Sequence, residues 1–204
     1  MDNFNERVND ARIDALREIG NIGSGNAASS LSVICDNDMG VTVPEVRTVD
    51  VNEAANILGG PENISVGIFF EVQGDFKGLI MLVVNLELAD KVVSRLVNET
   101  TNKDGSFTPL QMSALSEVGN IFAYSYANSI SALLQMNVTL SPPKICVDMN
   151  GAILAIPSIQ MAEVSDKILV IDTHFNDKDF DAGADIFLIP DIESFDKIMK
   201  SIGF

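Results

Sequence analysis

The strongest constraint on the fold is that the chain is written twice. DALREIGNIGSGNAASSLS, from Asp14, is echoed by SALSEVGNIFAYSYANSIS, from Ser113. At an offset of 99 residues, Ala15 and Leu16 fall on Ala114 and Leu115, Glu18 on Glu117, Gly20-Asn21-Ile22 on Gly119-Asn120-Ile121, and Pro44 on Pro143. Further on, GLIMLVVNLELADKVVSRL from Gly78 aligns with ADIFLIPDIESFDKIMKSI from Ala184, at an offset of 106. Neither half alone carries enough core to be comfortable, so strands of the two halves are expected to join one sheet about a pseudo-two-fold axis. The expected fold class is α+β: an internally duplicated, pseudo-two-fold, continuous β-sheet with two long motif-bearing helices packed on it. The expected organisation is one domain over residues 1–204, made of two repeats at about 9–98 and 108–203.

Each repeat reads as a long helix, a strand around its proline, a β-hairpin and a closing helix. In the first half the strands are VTVPEVRTVDV, ISVGIFFEVQG and KGLIMLVVN, with Gly74-Asp75 opening the hairpin turn and Asn85 capping the closing helix. In the second they are VTLSPPKICVDM, a weaker candidate AILAIPSIQ, then KILVIDTHF and ADIFLIP, with Asp191 as the cap. The larger second offset implies about seven extra residues, assigned to a loop in THFNDKDFDAGAD. NETTNKDGSF reads as the linker, and Thr108-Pro109-Leu110-Gln111 is a capping box with proline at the first helical position.

Composition removes several function classes. A net charge of −16 repels nucleic acid phosphates and anionic membranes. The polar, acidic N-terminus and the lack of any run of roughly 18 apolar residues lead to the expectation of a soluble, cytoplasmic protein with no membrane insertion. Cys35 and Cys146 form no CxxC and stand near no cluster of histidines, so both read as reduced, buried thiols. His174, the single histidine, lies in a polar run and reads as a surface loop residue, which leaves histidine-based triads and metal sites hard to build.

On a helical wheel, Asp14, Glu18 and Asn21 fall at about 0°, 40° and −20°, and Ser113, Glu117 and Asn120 repeat the pattern. Ile13, Leu16, Ile19 and Ile22, and their mates Met112, Leu115, Val118 and Ile121, read as the packed side. An outward Glu and Asn on one helix would be ordinary solvation. Their recurrence in halves that differ at most other positions makes Glu18, Asn21, Glu117 and Asn120 the candidate catalytic residues.

Gly23, Gly25 and Ala28 imitate a dinucleotide-binding loop, but no strand precedes them, and Phe122, Tyr124 and Ala127 stand at the matching positions. Close helix packing through Gly23, Gly25, Ala27 and Ala28 is the better reading. No Asp or His follows either Glu at i+3 or i+4, so neither a metal site nor a cofactor of the chain's own is expected.

The pattern Asp14-x3-Glu18-x2-Asn21-x22-Pro44, matched again by Ser113-x3-Glu117-x2-Asn120-x22-Pro143, resembles the signature of the CheC/CheX/FliY phosphatases of bacterial chemotaxis. The resemblance extends over essentially the whole chain. It implies a hydrolase acting on phosphorylated CheY, in which Asn21 and Asn120 orient the attacking water and Glu18 and Glu117 pair with the regulator's active-site lysine. Any Mg2+ would belong to the regulator. A second implied partner is CheD, the receptor-modifying deamidase. The alternative is a non-catalytic adaptor that binds CheY or CheD. Asp14 and Ser113 read as flanking residues, and Pro44 and Pro143 as fixing a strand edge or turn beneath the helix.

Overall fold

A computed structural model describes residues 10–35, 39–42, 44–50, 56, 58–98, 106–161, 167–177 and 183–203. Its elements are α1 (Asp10–Cys35), β1 (Met39–Val41), β2 (Glu45–Asp50), β3 (Ile64–Gly74), β4 (Gly78–Asn85), α2 (Leu86–Val97) and α3 (Pro109–Leu134). They continue with β5 (Val138–Leu140), β6 (Lys144–Met149), α4 (Asn150–Met161), β7 (Lys167–Asp177), β8 (Gly183–Pro190) and α5 (Ile192–Ser201).

All strands join one antiparallel sheet in the order β1-β7-β8-β4-β3-β5, with β2 alongside β1 on β7 and β6 alongside β5 on β3. The connectivity is reciprocal. β1 and β2 of the first repeat pair with the second repeat's β7, while β5 and β6 of the second pair with the first repeat's β3. The register obeys the same exchange: Glu45 opposite Asp172 in one half is Lys144 opposite Phe69 in the other. The axis passes through the β4–β8 ladder, where Met81 faces Phe187, its own repeat mate. The duplicated, pseudo-two-fold, continuous sheet is therefore the observed fold.

Local chemistry sets the boundaries. The hairpin strands β3 and β4 run in buried Val, Ile, Leu and Phe, as strands covered on both faces must. Gly74 turns with φ of +117°, a conformation that disfavours any Cβ. Asn85 accepts from the Leu88 amide at 2.9 Å, and Asp191 accepts from the Ser194 amide at 2.7 Å, each cap contributing about 1 kcal/mol. Thr108 and Gln111 form the expected reciprocal capping box, with Pro109 starting α3. Each proline splits its expected strand in two, because a residue without an N–H cannot hold a ladder position.

The helices α1, α2, α3 and α5 cover one face of the sheet, burying Leu16, Ile19, Leu88, Val92, Phe122, Phe195 and Ile198 against Ile68, Phe70, Ile80 and Leu188. The other face carries Phe69, Leu79, Met81, Val83, Phe187 and Ile189, closed by Ile153 and Leu154 of α4. AILAIPSIQ, the weaker strand candidate, is thus a helix. β3 already has a partner on each edge, and this apolar face needs a cover that a further strand would not supply. Buried Asn150 starts the helix by donating its side-chain amide to the carbonyls of Leu58 and Gly60.

Two other readings change. His174 lies on strand β7 rather than in a loop, exposed and 2.8 Å from the Asp185 carboxylate through its Nδ1. Much of THFNDKDFDAGAD is strand, and its residues 178–182 lie outside the described residues, as do linker residues 99–105. Cys146 is half-buried rather than buried, its thiol pushed up by burial and then by the Asp148 charge. The Cys35 side chain lies outside the described part. Among the described residues, no helix is long and apolar enough to cross a membrane.

Candidate functional site

The two motif helices lie side by side and antiparallel. Asn26 donates to the Ser129 hydroxyl at 2.9 Å, and its symmetry-related contact joins Ser30 to Ser125 at 3.1 Å. These two bonds centre the crossing on Ala28 and Ala127. Asn21 and Asn120 each stand seven residues before that centre, so they lie about 20 Å apart along the helix pair, and Glu18 and Glu117 about 30 Å apart. Such separation makes two separate candidate sites rather than one shared constellation.

Within each site the side chains point outward as the wheel predicts. Glu18, Asn21 and Glu117 are exposed and Asn120 is half-exposed. None of the four side chains makes a hydrogen bond or ion pair with a described residue. Their neighbours on the stripe differ: Asp14 accepts from Arg17 at 3.0 Å, and Ser113 donates to the Pro109 carbonyl at 2.9 Å. The flanking polar atoms are thus spent on their own helix. The Glu and Asn atoms are left for something outside the chain: a carboxylate that can meet a cation, and one turn on, an amide with one acceptor and two donors.

Beneath each pair the helix rests on a glycine. A Cβ on Gly20 would come within 2.7 Å of Ile171 Cγ2 and 2.9 Å of Pro44 Cβ; one on Gly119 would come within 2.6 Å of Ile68 Cδ1. Buried Pro44 therefore does sit under the helix, between β1 and β2. Both repeats share these glycines, and the atoms beneath them give the sharing a reason.

The glycines that invited a nucleotide reading lie elsewhere. Gly23 sits in mid-helix, where a Cβ would come within 2.7 Å of the Tyr126 ring, and Ala27 and Ala28 are buried. Gly25 is exposed and faces open space, so it is no packing residue. No strand lies between Asp10 and Gly23, which removes the frame of a dinucleotide loop. Ile121, assigned to the packed side, is instead 43% exposed beside Asn120, with Leu110 and Tyr124 exposed on the same helix.

Comparison with known proteins bears on the same residues. The model of the CheC-like family matches residues 13–47 and 110–147, the two segments that hold both Glu/Asn pairs and both prolines. In these two segments the chain is similar to the CheC-like family. It is 27% identical over 200 residues to the CheY-P phosphatase CheC of Bacillus subtilis (strain 168), covering 96% of each chain. The fold matches the crystal structure of Thermotoga maritima FliY with a TM-score of 0.72 at 23% identity, over 95% of this chain and 96% of that one. It also matches the CheX-CheY-BeF3-Mg2+ complex from Borrelia burgdorferi, with a TM-score of 0.55 at 17% identity, over 84% of this chain and 96% of that one. The match to the CheC-like family model and the α+β, duplicated fold thus agree with the expectation from the repeated motif.

Proposed function

We propose that this chain is a phosphatase that hydrolyses the aspartyl phosphate of a CheY-type response regulator, at two faces centred on Glu18/Asn21 and Glu117/Asn120. The observation that carries the reading is the duplicated, outward Glu/Asn pair without a partner among the described residues, in a chain similar over its length to a CheY-P phosphatase. In this reaction the oxygen of water bonds to phosphorus and the bond from phosphorus to the aspartyl oxygen breaks. The products are the free aspartate of the regulator and inorganic phosphate.

An acyl phosphate is already reactive, so the help it needs is placement rather than a strong base. The Asn amide carbonyl accepts a hydrogen bond from the attacking water and holds it in line. The Glu carboxylate meets the regulator's active-site lysine and sets the docking angle. In this reading Mg2+ is the regulator's own, and the chain supplies no group that becomes covalently modified. On the family resemblance we also propose a CheD-type deamidase as a second partner, tested by whether it changes turnover when titrated in.

The decisive assay follows phosphate release from phosphorylated CheY with Mg2+. Wild-type protein should accelerate it, and Asn21→Ala combined with Asn120→Ala should return it to within about twofold of the spontaneous rate while leaving the fold intact. Wild-type turnover in the double variant would overturn the water-positioning role. Binding with an unchanged phosphate lifetime in the wild type would identify an adaptor instead.

A further inference from the structure

We propose that Gly20 and Gly119 are positioning residues, which seat each Glu/Asn pair on the hairpin of the opposite repeat. The inference rests on the phosphatase reading for its kinetic consequence, but its structural content stands apart. Gly20, in the first repeat, lies over Ile171 of β7 in the second. Gly119, in the second, lies over Ile68 of β3 in the first. Ile171 opposite Val46 and Ile68 opposite Ile145 are equivalent register positions, so the two contacts are one contact made twice. Each glycine immediately precedes the Asn of its pair. The separation of that Asn from the sheet is therefore set where the helix has no side chain at all.

An added methyl cannot be absorbed equally at the two seats. At Gly119 the three atoms nearest it all belong to Ile68, the closest being Cδ1, the end of a flexible side chain, and a void of about 20 Å³ lined by Ile68, Leu82 and Leu115 lies alongside. At Gly20 it meets Ile171 Cγ2 and the closed ring of Pro44, at 2.7 and 2.9 Å. Ordinary carbon–carbon contact then requires α1 to rise by about 1 Å. A displacement of that size at a water-positioning group costs up to about 100-fold in rate. Pro44 is thereby given a role as well: it holds the rigid side of the seat.

Gly20→Ala in an Asn120→Ala background leaves only the α1 pair to report. Its turnover should fall at least about tenfold, while its affinity for BeF3-activated CheY changes less than about threefold. A crystal structure of Gly20→Ala should show Asn21 Cα raised from Ile171. Gly119→Ala in an Asn21→Ala background should lose less, and Ile68→Ala added to it should restore turnover. Gly25→Ala, in open space, is the control and should leave both rates unchanged. An α1 that stays in place in the Gly20→Ala crystal, or full turnover in that variant, overturns the proposal. If Gly20→Ala does not fold, failure of Ile68→Ala to rescue Gly119→Ala overturns it. Absence of acceleration by the wild type would instead refute the phosphatase reading, leaving the seat to be judged by the crystal structure.

Discussion

The α1 and α3 faces carry the same Glu and Asn on very different ground. Around Glu117 and Asn120, α3 exposes Leu110, Ile121 and Tyr124, whereas α1 places Ala11, Ile22 and Gly25 at the matching positions. Ala11 and Gly25 offer almost no apolar area, and Ile22 is partly buried. Beneath the sheet the contrast reverses: Phe69 in one half corresponds to Asp172 in the other. Between the helices, α3 supplies Phe122 and Tyr126 where α1 has Gly23 and Ala27, so large groups of one fill space left by the other. Duplication preserved the Glu/Asn pair and let its surroundings diverge, which separates what the proposed chemistry needs from what docking and packing need.

The comparison is most open to attack at the docking surface. Leu110→Ser with Tyr124→Ser should weaken binding of activated CheY to an Asn21→Ala protein by about tenfold or more, since exposed aromatic and aliphatic anchors carry most of the energy at such contacts. The same variant in an Asn120→Ala protein, where turnover reports on α1, should change turnover little. Equal effects on both faces in the binding and turnover measurements would erase the distinction drawn between them.

A smaller effect is expected at Asp172. Its carboxyl is buried and paired with Arg47 at 2.7 Å, and Arg47 also reaches Glu45 at 3.2 Å. Burial first, then the charge of Asp185, pushes its pKa up to about 6, against the lowering by Arg47 and with a further rise from Glu45. A raised pKa means that the stability contributed by the neutral carboxyl is complete below pH 4 and is lost as pH rises through about 6. Urea titrations at pH 4 and pH 7 should therefore show wild type losing on the order of 1–2 kcal/mol more than Asp172→Asn over that interval. A parallel pH dependence in the two proteins would show that Asp172 titrates normally, and the polar half of the sheet would then be no different from the Phe69 half.

The smallest change is expected at Tyr126. Its hydroxyl is fully buried with no hydrogen-bond partner among the described residues, and burial pushes the phenol pKa far up. Tyr126→Phe keeps the ring against Gly23 and removes an unsatisfied group, so thermal unfolding should show a gain of up to about 1 kcal/mol. A loss instead would mean that the hydroxyl is bonded in solution and that α3 contributes more than bulk to the helix pair.

Much of the fold was legible because its signals are local. Strand β3 matches ISVGIFFEVQG from end to end, and the caps at Asn85, Thr108 and Asp191 are where side-chain chemistry requires them. The helix α4 was not legible, since AILAIPSIQ lacks a period that distinguishes a buried helix from a strand. Nor could a repeat offset say which hairpin each proline-flanked strand would join, because pairing is a long-range choice. At the site, the outward direction of Glu18, Asn21, Glu117 and Asn120 follows from the wheel. The exposure of Ile121 does not, because it depends on where α3 lies over β5 and β6. Gly20 and Gly119 were visible as shared residues, but only the atoms beneath them show what the sharing is for.

The reciprocal exchange of strands has a consequence for how such a molecule changes over generations. Each repeat completes the other's sheet, so a copy whose Glu/Asn pair lost its proposed role would still be required for the sheet to close. A redundant surface held in this way is free to drift toward another binding partner under continued structural selection. The interlocked sheet keeps spare ground available for invention.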